Sequence, residues 1–186
     1  MANDSSKVTV GKPKTSGAIY RAPVGTTLPT NAESELATAF VALGYVSEDG
    51  VTNSRSIDSE AIKAWGGDNV FTVQSGRDDT FEFSLIEAMN VNAMKVYNGD
   101  NNVTGNLTDG ISITANNGEL GSHSYVIDQI LRGGRLKRIV IPDGQVSDVE
   151  DITYKDDELI AYGVTITANQ DDAGNTHYEY FAGEGA

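Results

Sequence analysis

The residues able to do chemistry are few and poorly placed for it. His123 and His177 are the two histidines, they fall in different expected elements, and neither H-x-x-x-H spacing nor any cysteine accompanies them. A zinc site would lack ligands, and we read both rings as surface residues of strands or loops. Two stretches resemble calcium loops. Asp100-x-Asn102-x-Thr104-Gly105 has Ile111 where a bidentate glutamate belongs, and residues 171–175 are short and shaped like a hairpin turn. The pairs Asp78-Asp79 and Asp156-Asp157 fall at expected turns, where aspartate bonds local backbone; they do not support a glycosidase dyad. Nucleophile-elbow, P-loop and dinucleotide fingerprints are absent. We expect no catalysis, no metal and no cofactor.

Charge is the other chemical resource. The formal net charge is −14 over 186 residues. Residues 1–25 carry Lys7, Lys12, Lys14 and Arg21 against Asp4, whereas residues 143–186 carry eleven acids, Glu184 among them, against Lys155. This asymmetry serves solubility or a head-to-tail attraction between a basic arm and an acidic neighbour. Arg132, Arg135, Lys137 and Arg138 form the one basic group outside the arm. Four charges at one turn, without interleaved aromatics, make a poor nucleic-acid site. They read equally as solvated hairpin charge or as partners for acids on an adjacent subunit.

The elements that must position these groups are mostly strands. At this length one domain over 1–186 buries roughly 70% of its unfolded surface. Without cysteine it does so unstapled. The polar, lysine-bearing start predicts neither signal peptide nor membrane anchor, and apolar runs of about four residues are too short to span a bilayer. Asn102-Val103-Thr104 and Asn106-Leu107-Thr108 match the glycosylation sequon, but read as loop polarity.

Residues 1–29 hold three of the four prolines, Pro13, Pro23 and Pro29, and predict an extended arm. Thr30-x-x-Glu33 matches a capping box before Leu36, Phe40 and Leu43, which predicts a helix stopped by Gly44. Strands are expected over 45–51 and 57–65, separated by the polar stretch 52–56. A further strand is expected over 69–75. After the turn-like 76–79, Phe81, Phe83 and Leu85 alternate with polar residues in a period of two. A second helix is expected over 86–97, with Gly99 as its stop. Residues 98–122 read as a variable loop with a brief strand at 111–114. Strands over 125–131 and 136–141 flank Arg132-Gly133-Gly134-Arg135, where Gly-Gly suits a tight turn. Strands over 152–154, 159–168 and 176–181 complete a meander. Eight to ten strands without βαβ alternation predict a mainly β, antiparallel β-sandwich or partly open barrel with one or two short flanking helices.

The order of motifs adds a resemblance. Residues 15–51, TSGAIYRAPVGTTLPTNAESELATAFVALGYVSEDGV, contain a G-x-[IL]-[YF]-x-A-P-x-G-T-x-L-P pattern from Gly17 to Pro29. Ser54-Arg55-Ser56, Ala64-Trp65-Gly66-Gly67 and Phe81-Glu82-Phe83-Ser84-Leu85-Ile86-Glu87 follow. Tyr125-Val126-Ile127-Asp128, the 138–142 segment ending in Ile-Pro, and 162–167 before the Gly174 turn come after them. Together they resemble the tail tube (major tail) proteins of long, non-contractile-tailed phages, most weakly over 98–122.

The resemblance implies a β-sandwich protomer closing into hexameric rings that stack about a tape measure protein. Tail terminator and distal tail or baseplate proteins would sit at the ends. Double-stranded DNA would pass through the lumen without specific binding. The location implied is the virion tail, assembled in the bacterial host cytoplasm, without membrane insertion. A related injection machine uses the same fold class. Residues with little apolar material to bury inside the protomer are then the candidates for contacts between subunits or rings: Lys7, Lys12, Lys14, Arg21, Thr52, Asn53, Arg55, Arg132, Arg135, Lys137 and Arg138. The alternative is a non-enzymatic β-sandwich binding module on a virion or cell surface, engaging carbohydrate through Trp65 and tyrosines. A hydrolase using exposed carboxylates is a third reading.

Overall fold

Every strand pairing in the computed structural model is antiparallel. The structure describes residues 3–14 and 17–182, so Thr15 of the signature stretch and Glu184 of the acidic tail lie outside the described residues. In chain order the strands are β1 (Lys12–Pro13), β2 (Ile19–Pro23), β3 (Val41–Ala42), β4 (Val46–Lys63), β5 (Asn69–Leu85), β6 (Val103–Asn106) and β7 (Gly110–Ile113). They continue with β8 (His123–Ile130), β9 (Leu136–Val149), β10 (Tyr162–Asn169) and β11 (Tyr178–Phe181). One sheet runs β3-β2-β8-β9-β10-β5-β4, with β1 also on β8 and β11 also on β9, while β6 and β7 form a separate hairpin. The sheet does not close into a barrel; the architecture is mainly β and consistent with a sandwich.

Side-chain alternation explains the two buried faces. Tyr125 and Ile127 of β8, Ile139 and Ile141 of β9, Val164 and Ile166 of β10 and Phe81, Phe83 and Leu85 of β5 point into the main core. The intervening Val126 and Val140 point the other way, with Ala22 and Phe40, into a smaller second core. Strands β8 and β9 are therefore apolar on both faces, which is why they read as continuous hydrophobic runs. The helix α1 (Val91–Asn98) closes the main core with Ala93, Met94 and Val96; Asn90 caps its start by accepting from the Asn92 N–H at 2.9 Å, and Gly99 ends it. It begins later than the periodicity predicts: residues 86–90 form a turn in which the Asn90 N–H donates to the Glu87 carbonyl at 2.9 Å, and the Glu87 carboxylate braces that turn by accepting from the Tyr45 N–H and the Asn90 amide.

The other expected helix does not form. Among the described residues α1 is the one α-helix, and residues 30–40 cross the second core as bends and turns. Its cap is made, though by Asn31, whose side chain accepts from the Glu33 and Ser34 N–H groups at 2.9 and 2.6 Å. Propagation fails because Arg138 donates to the Asn31 and Ser34 carbonyls at 3.1 and 2.7 Å, the acceptors a helix would use. Arg138 itself is fully buried and holds Asp128 with two hydrogen bonds of 2.6 and 2.9 Å.

Further expectations are revised. Residues 52–56 and 76–79 do not interrupt strands but lie within the continuous β4 and β5. Residues 152–154 form no strand, and the loop 98–122 contains the β6–β7 hairpin. The expected arm is extended, but its latter part is a structural strand: Ile19 and Ala22 are buried and pair with β8.

Arg138→Ala is expected to destabilise the protein by about 3–5 kcal/mol, since it leaves the Asp128 carboxylate buried and without its bidentate partner. Urea titration reads this. The double variant Arg138→Met, Asp128→Leu recovers part of the loss, because no uncompensated charge remains.

Candidate assembly interface

Strands β4 and β5 outrun the sandwich. Residues 46–55 and 79–85 belong to the body, where β5 also pairs β10 from Thr80 to Leu85. Beyond them the two strands pair only with each other, out to Lys63 and Asn69. At about 3.3 Å per residue this free ribbon extends on the order of 30 Å. Almost every residue from 56 to 77 is exposed, including Ile57, Ile62, Val70, Phe71 and Val73. Ala64-Trp65-Gly66-Gly67-Asp68 makes the turn, with Gly66 and Gly67 at φ 119° and 99°, values that favour glycine. Trp65 is wholly exposed there. A two-stranded ribbon is marginal alone in water, and its outer edges carry unpaired backbone groups that invite another strand.

A buried polar cluster roots the ribbon in the body. The Asp79 carboxylate has no exposed surface. It accepts from Asn53 Nδ2 at 2.6 Å and Thr176 Oγ1 at 2.7 Å, and pairs with His177 Nδ1 at 2.6 Å. Arg55 Nη2 lies 2.7 Å from His177 Nε2. Guanidinium can only donate, so Nε2 accepts and the ring proton sits on Nδ1, facing Asp79. Arg55 also reaches Glu179 at 3.5 Å, and Lys137 pairs with Glu179 at 3.0 Å. The cluster thus ties β4 and β5 to β11 and through it to β9. Burial pushes the Asp79 carboxyl up, but the hydrogen bonds from Thr176 and Asn53 and the His177 ring outweigh it, leaving the group below its ordinary value of 3.8.

The expected contact residues divide by location. Thr52 is exposed on β4, and Asn53 and Arg55 belong to the Asp79 cluster. Lys7, Lys12, Arg132 and Arg135 are exposed near the β8–β9 turn, where Arg132 donates to Thr9 Oγ1 and the Ser5 carbonyl. Lys14 lies 3.6 Å from Asp128, and Lys137 is half-buried against Glu179 and the Phe181 ring. Two arginines are withdrawn from the set. Arg138 is consumed by Asp128 and the 30–40 segment, and Arg21 is itself buried and pairs at 2.7 Å with the exposed Asp100.

His123 completes that second pair, with Nε2 2.8 Å from Asp100. Both histidines are therefore carboxylate-paired, and the His177 side chain is buried, contrary to the surface reading. Nearby burial pushes the Tyr125 hydroxyl up to about 12, so it stays protonated at every working pH. No group of three or more metal-ligating side chains occurs among the described residues, and no helix is long and apolar enough to cross a membrane. The acids lie apart from the basic turn. Lys137 stands near the start of β9 and Asp148 near its end, with Glu150, Asp151, Asp156, Asp157 and Glu158 exposed beyond it.

The sign of the Asp79 shift sets a pH dependence. A depressed folded value stabilises the protein above the ordinary carboxylate range, and that stability is lost as pH falls below about 4. Thermal melts between pH 6 and pH 3 are expected to show this loss in the wild type and a flatter profile in Asp79→Asn. That variant is also weaker at neutral pH by about 1–3 kcal/mol, since its amide cannot satisfy every donor.

The sequence pattern described as phage tail tube protein matches residues 1–184. No curated protein matches the chain. With an antiparallel sandwich, an unpartnered ribbon and a match over nearly its full length, the chain belongs to the phage tail tube protein family.

Proposed function

We propose that this tail tube subunit closes into hexameric rings stacked about a tape measure protein. Tail terminator and distal tail or baseplate proteins end the stack, and DNA leaves through the lumen. Assembly takes place in the host cytoplasm, and the subunit carries no catalysis. The observation that supports this most is the β4–β5 ribbon: a pair of strands with free edges and an apolar tip, rigidly rooted yet unpartnered within the protomer. Such an element gains its stability from another copy. Head-to-tail contacts of this kind close into rings or extend into stacks, depending on the rotation between copies.

Charge supports the same reading. The basic residues around the β8–β9 turn and the acids beyond the end of β9 are separated by about 35 Å of strand. End-to-end stacking would bring the opposite signs together. Lys7, Lys12, Lys14, Arg132, Arg135 and Lys137 act on that face, with Thr52, Asn53 and Arg55 at the ribbon base. A net charge of −14 also suits a lumen that repels phosphate, since affinity for DNA comes from clustered cations. The carbohydrate-binding alternative loses its main support, because Trp65 stands at a hairpin tip rather than over a cleft.

Two outcomes are expected in negative-stain micrographs of purified protein over a concentration series. The intact chain forms rings or tubes as concentration rises, whereas a variant with residues 57–76 replaced by a short turn stays folded and forms none. Removing residues 1–11, which spares β1 and β2, leaves a folded protein whose tubes are shorter and dissolve at lower salt. Equal tube yield from the ribbon-deleted chain would contradict the proposal. A cut at residue 25 instead unfolds the protein, because it takes β2.

A further inference from the structure

We infer that an apolar groove at the far end of β5 is the receptor for the ribbon tip of a second copy; this deepens the tube-subunit reading and rests on it. The groove, of about 1010 Å³, is lined by Ile86, Met89, Val91, Leu107, Leu159 and Ile160. Met89, Leu107 and Leu159 are each more than two-thirds exposed. Three separate segments converge here: the turn before α1, the β6–β7 hairpin and the approach to β10. No described side chain fills the space between them. The groove is open to solvent, with room for an indole and a neighbouring ring.

The occupant is indicated by the chain itself. Trp65, Ile62 and Phe71 are all at least half exposed, with Ile62 directly opposite Phe71 on one ribbon face and Trp65 in the turn beyond them. Exposed apolar groups gathered this way mark contact sites, and a fully exposed tryptophan is a typical anchor residue once buried in a partner's pocket. Lys63 and Asp68 flank the tip with offsetting charge, and the two acids among the groove residues are already engaged, Glu87 by the Tyr45 N–H and the Asn90 amide and Glu158 by Lys155.

Geometry then makes the contact run between copies. β5 begins at the tip, at Asn69, and ends at Leu85, one residue before the groove. Tip and groove therefore stand at opposite ends of one strand, about 50 Å apart along its contour. A protomer cannot reach its own groove. The docking is heterologous, each copy using its tip on one neighbour and its groove on another, and it propagates. Being apolar, it is far less salt-sensitive than the contact between basic turn and acidic end.

Trp65 is the sole tryptophan, so its fluorescence reports the contact directly. In wild-type assemblies its emission shifts to the blue and iodide quenching falls several-fold relative to the dilute protomer. A tip variant, Phe71→Asp, and two groove variants, Leu159→Asp and Met89→Asp, change exposed side chains and keep wild-type circular dichroism. Each variant alone fails to form tubes. An equimolar mixture of tip and groove variants doubles the sedimenting mass of the species each forms alone and stops there, with about half of the Trp65 signal protected. Wild-type tubes in which Trp65 stays fully quenchable, groove variants that assemble at wild-type yield, or a mixture whose components ignore each other would overturn the docking while leaving the tube reading standing. A wild type that never assembles would overturn both.

Discussion

Arg138 and Asp128 tie the central strands to the segment that covers them. Their two hydrogen bonds lie between β8 and β9, the strands buried on both faces. The remaining guanidinium donors reach out to the carbonyls of residues 31 and 34. One buried cation thus fixes a sheet register and the layer that covers it. Its charge is acceptable inside because the carboxylate answers it with matched geometry and the backbone satisfies the rest. Lys14 adds a second cation to the same carboxylate, linking the start of the chain to this centre.

The Asp79 cluster repeats that arrangement where the sandwich ends and the ribbon begins. A buried carboxylate receives donors from β4 and from residues 176–177 just before β11, and Phe81 packs edge-on against His177 at 5.2 Å. The consequence is mechanical. The ribbon leaves the body from a fixed root, held there by the Asp79 cluster. A fixed root lowers the ordering cost when a partner binds. That suits an element whose edges and tip have no partner within the protomer.

Much of this was legible in the sequence. The alternation of Phe81, Phe83 and Leu85 and the double-sided runs of β8 and β9 follow burial on one or both sheet faces. The motif order identified the family. Other features were not legible, for identifiable reasons. The 30–43 helix carries a good cap and an apolar face, and what cancels it is Arg138, more than a hundred residues away in the chain. Polar stretches at 52–56 and 76–79 resemble breaks because a ribbon exposed on both faces shows no burial period, and register shifts near Asp58 and Ile62 blur it further. Asp79 looked like a turn residue; its partners Asn53 and Thr176 lie 26 and 97 positions away. Arg21 and Arg138 looked like surface charge for the same reason, since their carboxylate partners are visible only in three dimensions.

The account depends on the ribbon gaining partners from other copies. Backbone hydrogen exchange, compared between dilute protein and its assembled form, measures this directly. Peptides spanning residues 56–77 should exchange rapidly in the dilute state and become strongly protected on assembly, while those from β8 and β9 stay protected in both. Ribbon amides that exchange equally fast in the two states would contradict it.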